Sequence, residues 1–518
     1  MRARFLQALA WLAVAAACAA RGPSPLAIAE MAKAESLLRA GCYTCLQDAL
    51  VIFERQAASP RPPLGAQQGV FDAALLIAVR DRELGIPGDA SMARAKTAAT
   101  PASQPILDAA SLVIGETSGY DPEQRAVFTG RGRPAIERDN PRRRALDAAL
   151  ATDLTAAYVA ATIDCESPRL IESVDLPGLI EKYEAVPLMR FRLARCGRPA
   201  IAPQLAALRA GDPRWTDTLF WEARRELVGS PATGIDFPAA LRLFGQAREA
   251  FPASLTIAMA WANASLSAEE FEAALAGFDD VLQVFPTHRD ALIGRVTALS
   301  YLMRHPDAIA AASRVIELGT WHIGDAHYWR AWNRYHLKEY ETAWEDVENA
   351  IKGLSNTRVY TLGGLIAYAR KELPTAILRF DRAYEIDSSN CDATWMSGLV
   401  SIDQEQLAIA APKFTRAMSC FVSSAAALRA DLARTEGQIK RRGTAATATE
   451  TRRMERNRRD AENADERSAQ SAFNAAQCLV RTGQKTQALT HVDVAAAHPR
   501  MRDKALALKA AIEKLPNR

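Results

Sequence analysis

The sequence predicts an all-α fold in which short helical hairpins repeat along the chain, behind an irregular helical N-terminal part. Three observations support this. Alanine recurs at intervals of 33 to 35 residues, apolar residues follow each alanine at helical spacing, and proline stands where some of the second helices must end. Of the 518 residues, 49% are hydrophobic but only 7% are aromatic, so the core must consist mainly of small side chains.

Three positions on the second helix of each hairpin carry the repeat. Apolar residues lie four and seven places after the alanine, so all three positions share one helical stripe. A constant period of this length is typical of a solenoid of helix-turn-helix units. In chain order the positions hold Ala240, Phe244 and Ala247; Ala274, Phe278 and Val281; Ala308, Ala312 and Val315; Ala343, Val347 and Ala350; Ala376, Phe380 and Ala383; Ala410, Phe414 and Ala417.

The first helix of each hairpin has its own marker twelve places before the alanine. This residue is small in four hairpins and valine in the first and third: Ala262, Ala331, Gly364 and Gly398, then Val228 and Val296. The whole pattern resembles the tetratricopeptide repeat (TPR) family. The resemblance implies that paired helices approach closely at the small residue, and that the first helices line a concave groove that receives a peptide or a partner's helix. We expect the two valines to loosen or shift their hairpins.

The register also predicts how the chain is divided. One degenerate copy turns at Gly41, and a terminal copy turns at Gly483 before a capping helix from Arg502 to Lys514. Helix-like stretches such as Ala145–Ala160 lie between them without a register. The predicted parts are 1–18, export signal and lipobox; 27–60, degenerate TPR-like hairpin; 61–210, irregular helical region; 211–420, TPR array; 421–467, charged insertion; 468–518, terminal repeat and cap.

The N-terminus has the pattern of an export signal. Two arginines in the first four residues precede an apolar run from Phe5 to Ala17, which is too short to span a bilayer as a helix of ~20 residues. The run ends in Val14-Ala15-Ala16-Ala17-Cys18, which resembles a bacterial lipobox and implies lipidation of Cys18. Ordinary cleavage after Ala19 is the alternative. Either route predicts an exported protein, periplasmic or anchored to the outer membrane.

Export predicts that cysteines among the eight form disulfides, because the compartment is oxidising. Cys42 and Cys45 form a CxxC motif without the surroundings of a redox or zinc site, so a local disulfide is expected. The repeat register places Cys391 and Cys420 at the open mouth of one hairpin, which predicts a second disulfide. Proximity in sequence suggests a third disulfide, between Cys165 and Cys196. We expect Cys478 to remain free and buried.

The sequence contains no recognisable catalytic or phosphate-binding motif. GxSxG, HExxH, GxxxxGK[ST] and GxGxxG after a strand are all missing. His322, His327 and His336 have spacings of five and nine, which do not make a metal-binding face. We therefore expect ordinary surface or interface histidines, no enzyme, no metal and no cofactor. An enzyme within 61–210 has only the support of an unexplained region.

Charge is balanced over the chain but not within it. The net charge is +4, so nucleic acid is not an expected partner. Residues 440–459 are an exception, with eight basic residues against two acidic ones. Such a run could touch anionic lipid or nucleic acid, yet it has no aromatics for base stacking. A solvated helix or a flexible insertion is the preferred interpretation.

Counting back from the repeat alanines predicts which side chains face the groove. The fourth, fifth and sixth hairpins contribute a set of aromatic residues, which are the expected anchors for a ligand because rigid aromatics dominate interface energetics. The alternative is that Trp329 and Trp332 only pack between repeats. The predicted binding residues are Tyr328, Trp332, Tyr335, His336, Tyr368 and Trp395.

These observations favour an envelope scaffold that binds a protein or peptide partner in its groove. The second hypothesis is a carbohydrate- or small-molecule-binding lipoprotein that embeds TPR hairpins beside a ligand pocket. Proteins of that kind break the array with long loops, whereas here six hairpins follow one another without interruption. The scaffold is therefore preferred.

Overall fold

The structure is a computed structural model that describes residues 23–86, 89–114, 141–150, 152–166, 182–183, 185–194, 202–228, 235–319, 322–443, 445–446 and 448–515. Within these ranges every extended regular element is a helix. The helices are α1 Pro25–Ala40, α2 Tyr43–Ala57, α3 Ala66–Leu84, α4 Ala90–Ala98, α5 Gln104–Ile114, α6 Pro141–Arg144, α7 Leu154–Glu166, α8 Pro187–Ala194, α9 Ala202–Gly211, α10 Thr218–Val228, α11 Phe237–Ala250, α12 Leu255–Ser267, α13 Phe271–Val284, α14 Arg289–Tyr301, α15 His305–Glu317, α16 Ile323–His336, α17 Tyr340–Gly353, α18 Thr357–Ala369, α19 Leu373–Ile386, α20 Cys391–Asp403, α21 Leu407–Arg442, α22 Ala448–Arg481, α23 Lys485–Ala497 and α24 Arg502–Glu513.

Two compact units divide the chain. The first contains Met1–Leu227 and Ala239–Trp261, and the second contains Val228–Pro238 and Ala262–Arg518. The fold class is as predicted, a TPR-type helical hairpin array with an irregular helical N-terminal part.

The first unit begins with the hairpin of α1 and α2. Gly41 ends α1 in the left-handed conformation, with φ of 73°, and the residues at the repeat positions of α2, Leu46, Leu50 and Phe53, are buried. The next helix, α3, packs against α2, α4 and α5 and is buried on nearly all sides. An apolar helix surrounded in this way forms the centre of the unit's core.

The core of the first unit also contains buried charges that the repeat pattern could not reveal. Arg80 pairs with Asp217, and Arg192 pairs with Glu83. All four side chains are at most 2% exposed. The Arg80 guanidinium lies over the ring of Phe191, 3.7 Å from its centroid. Breaking such a pair would leave an uncompensated buried charge.

The irregular region departs from the helix predicted over Ala145–Ala160. Residues 145–150 form turns instead, and α7 starts only at Leu154. The reason is local, because the Asp153 carboxylate accepts a hydrogen bond from the backbone N–H of Ala156 at 2.9 Å and caps the helix there.

In the second unit the helices pack in the predicted order, each of α13 to α24 against the next. The eighteen residues at the three repeat positions, fifteen in this unit and Ala240, Phe244 and Ala247 in the first unit, are all 0% exposed. The terminal repeat continues this with Ala488, Val492 and Ala495, also 0% exposed. The predicted register is therefore the core register.

The turn between the two helices of each hairpin is equally regular. Five such turns place a residue other than glycine in the left-handed region, always five places before the repeat alanine. In the fifth hairpin the backbone N–H groups of Lys371 and Glu372 donate to the carbonyls of Tyr368 and Ala367 at 3.0 and 2.9 Å. These two hydrogen bonds form a Schellman motif, in which the left-handed residue is normally glycine. The five residues are Glu269, Met303, Lys338, Lys371 and Glu405.

The small residue of the first helix meets the second position of its own hairpin. A Cβ on Gly364 would lie 2.6 Å from the ring of Phe380. In the third hairpin the sizes are exchanged, since Val296 is 0% exposed and Ala312 stands where Phe380 stands in the fifth. Val296 is therefore packed without the predicted loosening. Val228, by contrast, is 82% exposed and is not part of the core.

The charged insertion is a long helical hairpin. The second helix of the sixth repeat was expected to end near Cys420, but α21 continues to Arg442, and α22 returns as the first helix of the terminal repeat. α21 and α22 pack along their lengths. Of the two interpretations of this segment, the helical one holds for its described residues.

Candidate partner-binding groove

The first helices α16 and α18 of neighbouring hairpins contact each other directly and together build a pocket. Its walls come from α16, from α18 and from the residue that precedes α20. The pocket has a volume of about 340 Å³ and is lined by Tyr328, Trp332, Tyr335, His336, Arg358, Thr361, Leu362, Leu365 and Asn390. Four of the six predicted binding residues therefore lie together.

The two tryptophans of α16 have different surroundings. Trp329 is only 6% exposed and packs edge-on against Tyr301, with ring centroids 5.5 Å apart. Trp332 is half-buried and its ring lies 4.1 Å from that of His336, centroid to centroid. Trp329 thus packs between repeats, whereas Trp332 presents a face to the pocket.

Arg358 supplies the positive charge of the pocket. Its guanidinium lies 4.8 Å from the ring centroid of Tyr328 and donates a 3.4 Å hydrogen bond to the Tyr328 hydroxyl. Burial raises the pKa of Tyr328, so the hydroxyl stays neutral. The nine described residues that line the pocket include no carboxylate, and a negatively charged ligand group would therefore meet an attractive field.

Asn390 fixes the polar edge of the pocket. Its side-chain amide donates to the hydroxyls of Thr357 and Thr361 at 2.7 and 2.9 Å. Its carbonyl oxygen accepts from the backbone N–H of Ala393 and caps α20. Each polar atom of Asn390 has a partner, so the two adjacent first helices are held in a defined relation.

The other two predicted binding residues lie outside this pocket. The Tyr368 hydroxyl donates to Asp403 at 2.7 Å, and this bond together with burial raises the pKa of Tyr368. Trp395 stacks under Arg467 of α22, whose guanidinium lies 4.4 Å from the ring centroid. The Trp395 contact could not be read from the repeat pattern, because the insertion brings Arg467 there from 72 positions away.

A polar cluster that was not predicted from the sequence joins α16, which lines the pocket, to the second helix α17 of the same hairpin. The buried Asp346 of α17 accepts hydrogen bonds from His327, Arg330 and Arg334 of α16 at 2.6 to 2.8 Å. Burial favours the neutral acid, but these donors and the two arginine charges outweigh it, so the pKa of Asp346 is lowered. The i, i+3, i+7 spacing of the three donors was the available sequence signal.

The disulfides expected from the CxxC motif and the repeat register are present. Cys42 is joined to Cys45, and Cys391 to Cys420 with their Cα atoms 5.4 Å apart. Cys165 is also disulfide-bonded, while its predicted partner Cys196 lies outside the described residues, as does Cys18, the predicted lipidation site. Cys478 is free and buried as expected, and burial raises its pKa.

The described residues offer neither an open metal site nor a membrane-spanning helix. The one cluster there with three potential metal ligands consists of Cys42, Cys45 and Asp212, and both sulfurs are already bonded to each other. No described helix combines the length and the apolar character needed to cross a membrane. His322, His327 and His336 each bond or stack with residues of neighbouring helices.

The hairpin array, with its neighbouring first helices, has the fold of the class of TPR-type helical hairpin structures. No protein-family profile matches the sequence, and no curated protein matches it. Solved structures similar to this chain include YrrB, described as a TPR protein with an unusual peptide-binding site, at 20% identity over 34% of this chain and 91% of that one, with a TM-score of 0.29. MamA from Desulfovibrio magneticus RS-1 is similar at 19% identity over 32% and 94%, with a TM-score of 0.30. The C-terminal part of a TPR protein from Cytophaga hutchinsonii is similar at 12% identity over 57% and 98%, with a TM-score of 0.39.

Proposed function

We propose that this protein is a non-catalytic scaffold of the cell envelope that holds a protein or peptide partner in the groove of its second unit. The observation that carries the proposal is the pocket between α16 and α18, where Tyr328, Trp332 and Tyr335 converge around about 340 Å³. Aromatic side chains in such a place bury large areas with little loss of conformational entropy, which makes them suitable anchors.

The chemistry of the pocket suits a peptide. Leu362 and Leu365 add an apolar wall, while Arg358, Thr361 and Asn390 lie at its edge. An apolar side chain of the partner would enter the aromatic part, and its backbone or an acidic neighbour would meet the polar edge. Because the first helices are fixed by packed hairpins behind them, the pocket is formed before the partner arrives, which reduces the entropic cost of binding.

The location in the envelope is supported by the export-type N-terminus and by the oxidised cysteines. The apolar run from Phe5 to Ala17 and the lipobox-like end at Cys18 are typical of exported bacterial lipoproteins. Structural disulfides such as Cys391–Cys420 persist in oxidising compartments. Lipidation of Cys18 would tether the scaffold to a membrane while the groove stays accessible.

Site-specific photo-crosslinking in intact cells tests the proposal. Benzoylphenylalanine at Thr361 in the pocket should give a discrete crosslinked protein band, and the same residue at Leu378 on the second helix α19, where the side chain is 67% exposed, is the matched control. Adding Trp332→Ala should abolish the Thr361 band. The proposal fails if Thr361 and Leu378 give the same products. It also fails if Thr361 gives none and a glycan raises the melting temperature, because that result identifies the carbohydrate-binding alternative.

A further inference from the structure

The positive charge of this protein is concentrated in one place. Between residues 440 and 459 there are eight basic side chains and two acidic ones, an excess larger than the +4 net charge of the whole chain. The described residues of this range, 440–443, 445–446 and 448–459, lie at the far end of the α21–α22 hairpin, here called the cationic tip. The remainder of the molecule is consequently slightly acidic.

The hairpin extends this charge beyond the other helices of its own repeat, and one side of it contacts the turn between α12 and α13. α21 has 36 residues and α22 has 34, compared with 14 in α19 and 13 in α20. At 1.5 Å per residue the extra length of α21 is about 33 Å. The base is held firmly, by the Cys391–Cys420 disulfide on one side and by Arg467 over Trp395 on the other.

Inside the hairpin the acidic groups are already used. Asp431 accepts from Arg453 at 2.8 and 2.9 Å and from Asn457 at 2.8 Å. Arg456 reaches the turn between α12 and α13 and bonds to Glu269 at 2.6 Å. The Asp431 contacts hold α21 and α22 together, and the Arg456–Glu269 pair holds α22 against the turn between α12 and α13.

In the described part of the chain, four exposed cations of the tip make no salt bridge, although one of them, Arg452, also lines a cleft beside the hairpin. They are Lys440, Arg441, Arg452 and Arg459. Between residues 422 and 472 the sequence contains no Phe, Tyr or Trp. A nucleic acid would therefore find charge but no platform on which bases could stack.

We propose that the cationic tip docks on an anionic phospholipid surface. An array of cations on a helical arm matches a surface that presents many negative headgroups at once, and it requires no pocket. An acidic peptide is a poorer match, because in the adjoining cleft of about 750 Å³, where such a peptide would lie, the four carboxylates of Glu269, Glu270, Asp431 and Glu450 outnumber the three guanidinium groups of Arg452, Arg453 and Arg456. This docking is independent of the aromatic pocket and of lipidation at Cys18.

The strength of this binding and its dependence on salt can be estimated from the number of cations. Each cation close to an anionic bilayer strengthens binding by about fivefold. Removing four cations should therefore weaken binding by at least about tenfold, even if their effects are only partly additive. Because the charges are exposed, salt well above the physiological level should abolish the effect.

Sedimentation with vesicles tests the proposal on the full chain carrying Cys18→Ser, so that no acyl group contributes. Phosphatidylglycerol–phosphatidylcholine vesicles are compared with phosphatidylcholine alone. The test variant replaces Lys440, Arg441, Arg452 and Arg459 by Gln. The control replaces four exposed lysines elsewhere, Lys33, Lys96, Lys504 and Lys514, and so changes the net charge equally. Circular dichroism and the melting temperature verify that both variants fold.

The expected result is binding that needs phosphatidylglycerol, is lost by at least about tenfold in the tip variant and is retained by the control. Equal losses in the tip and control variants would show only a net-charge effect and overturn the proposal. Absence of phosphatidylglycerol-dependent binding by the unaltered tip would also overturn it. So would tip-dependent binding of oligothymidylate or polyglutamate with vesicle binding unchanged in the tip variant, because the tip would then serve nucleic acid or an acidic protein.

Discussion

At the scale of single residues, the hairpin turns show how a backbone requirement can outweigh side-chain preference. Five turns place Glu, Met or Lys at φ between 59° and 67°, whereas the degenerate and terminal hairpins turn at glycine, Gly41 at 73° and Gly483 at 82°. A residue with a Cβ is less stable in this region by about 1 kcal/mol or more. The packed helices on both sides hold these turns in place, so each contains a small amount of strain.

Replacing Gly483 by Ala should lower the free energy of unfolding by about 1 kcal/mol, and Lys371→Gly should raise it by about 0.5–1 kcal/mol. Urea unfolding measures both. Gly245→Ala is the matched control, since Gly245 lies inside α11 without positive φ and with no atom within 4 Å of an added Cβ. It should stabilise by about 0.5–1 kcal/mol. If Gly483→Ala behaved like Gly245→Ala, the left-handed turn would not be formed.

His322 links two neighbouring first helices by charge. It bonds to Asp290 at 2.8 Å and to Asp325 at 3.4 Å, and these bonds raise its pKa from 6.5 to about 9. The folded state thus favours the protonated ring. Its stabilisation is complete below pH 6.5 and is lost as the pH rises from 6.5 through about 9.

The variant His322→Gln should therefore destabilise the protein at pH 6 and have little effect at pH 10. With allowance for partial exposure to water, the loss at low pH is on the order of 1 kcal/mol. Urea unfolding across this pH range gives the measurement, and NMR titration of the ring gives the pKa directly. An equal loss at both pH values would mean that His322 acts through packing instead of charge.

At the scale of helices, close pairing within a hairpin depends on complementary sizes. Gly364 admits the ring of Phe380, Ala331 stands opposite the position of Val347, and Val296 stands opposite that of Ala312. In these three pairs the combined volume of the two side chains varies less than the volume of either side chain alone. The small-residue rule is therefore a rule about pairs, which explains why a valine is accepted in the third hairpin.

Two adjacent glycines of α18 test this directly. A Cβ at Gly364 would lie 2.6 Å from the Phe380 ring, whereas a Cβ at Gly363 would meet its neighbours at 3.8 Å. Gly364→Ala should reduce the free energy of unfolding by about 1–3 kcal/mol, and Gly363→Ala should be neutral or slightly stabilising. Phe380→Val should reduce the effect of Gly364→Ala in the double variant. Equal effects of the two alanines, measured by urea unfolding, would contradict this account.

At the scale of the whole molecule, the functions proposed here rest on separate features. The aromatic pocket belongs to α16 and α18, the cationic tip to the far end of α21 and α22, and the lipid attachment to the chain before residue 23. Binding of a partner, attraction to anionic lipid and anchoring can consequently be removed one at a time.

The anchor is predicted to be a diacylglyceryl group on the sulfur of Cys18. Mass spectrometry of the mature N-terminus should find acylated Cys18, and Cys18→Ser should release the protein from the membrane fraction. High salt is included in the fractionation, so that attraction through the tip does not conceal the release. An unmodified N-terminus at Ala20 would instead indicate ordinary cleavage and a periplasmic protein.

Much of the fold follows from the sequence alone because the repeat is local. Alanine, phenylalanine and valine at spacings of four and seven specify the buried stripe, and the same stripe recurs every 34 residues or so, as at Ala240 and Ala274. The Cys391–Cys420 disulfide followed from that register. Four of the six predicted groove residues also converge, because their positions are counted within single hairpins.

What the tertiary structure alone decided depends on residues far apart in the chain. The charged segment extends α21 and α22, and this places Arg467 over Trp395. Separately, the Tyr368 hydroxyl bonds to Asp403. The buried pairs Arg80–Asp217 and Arg192–Glu83 join segments more than 100 positions apart. A short-range hydrophobic pattern determines which face of a helix is buried, whereas the partner of a buried charge is determined only when the helices have packed.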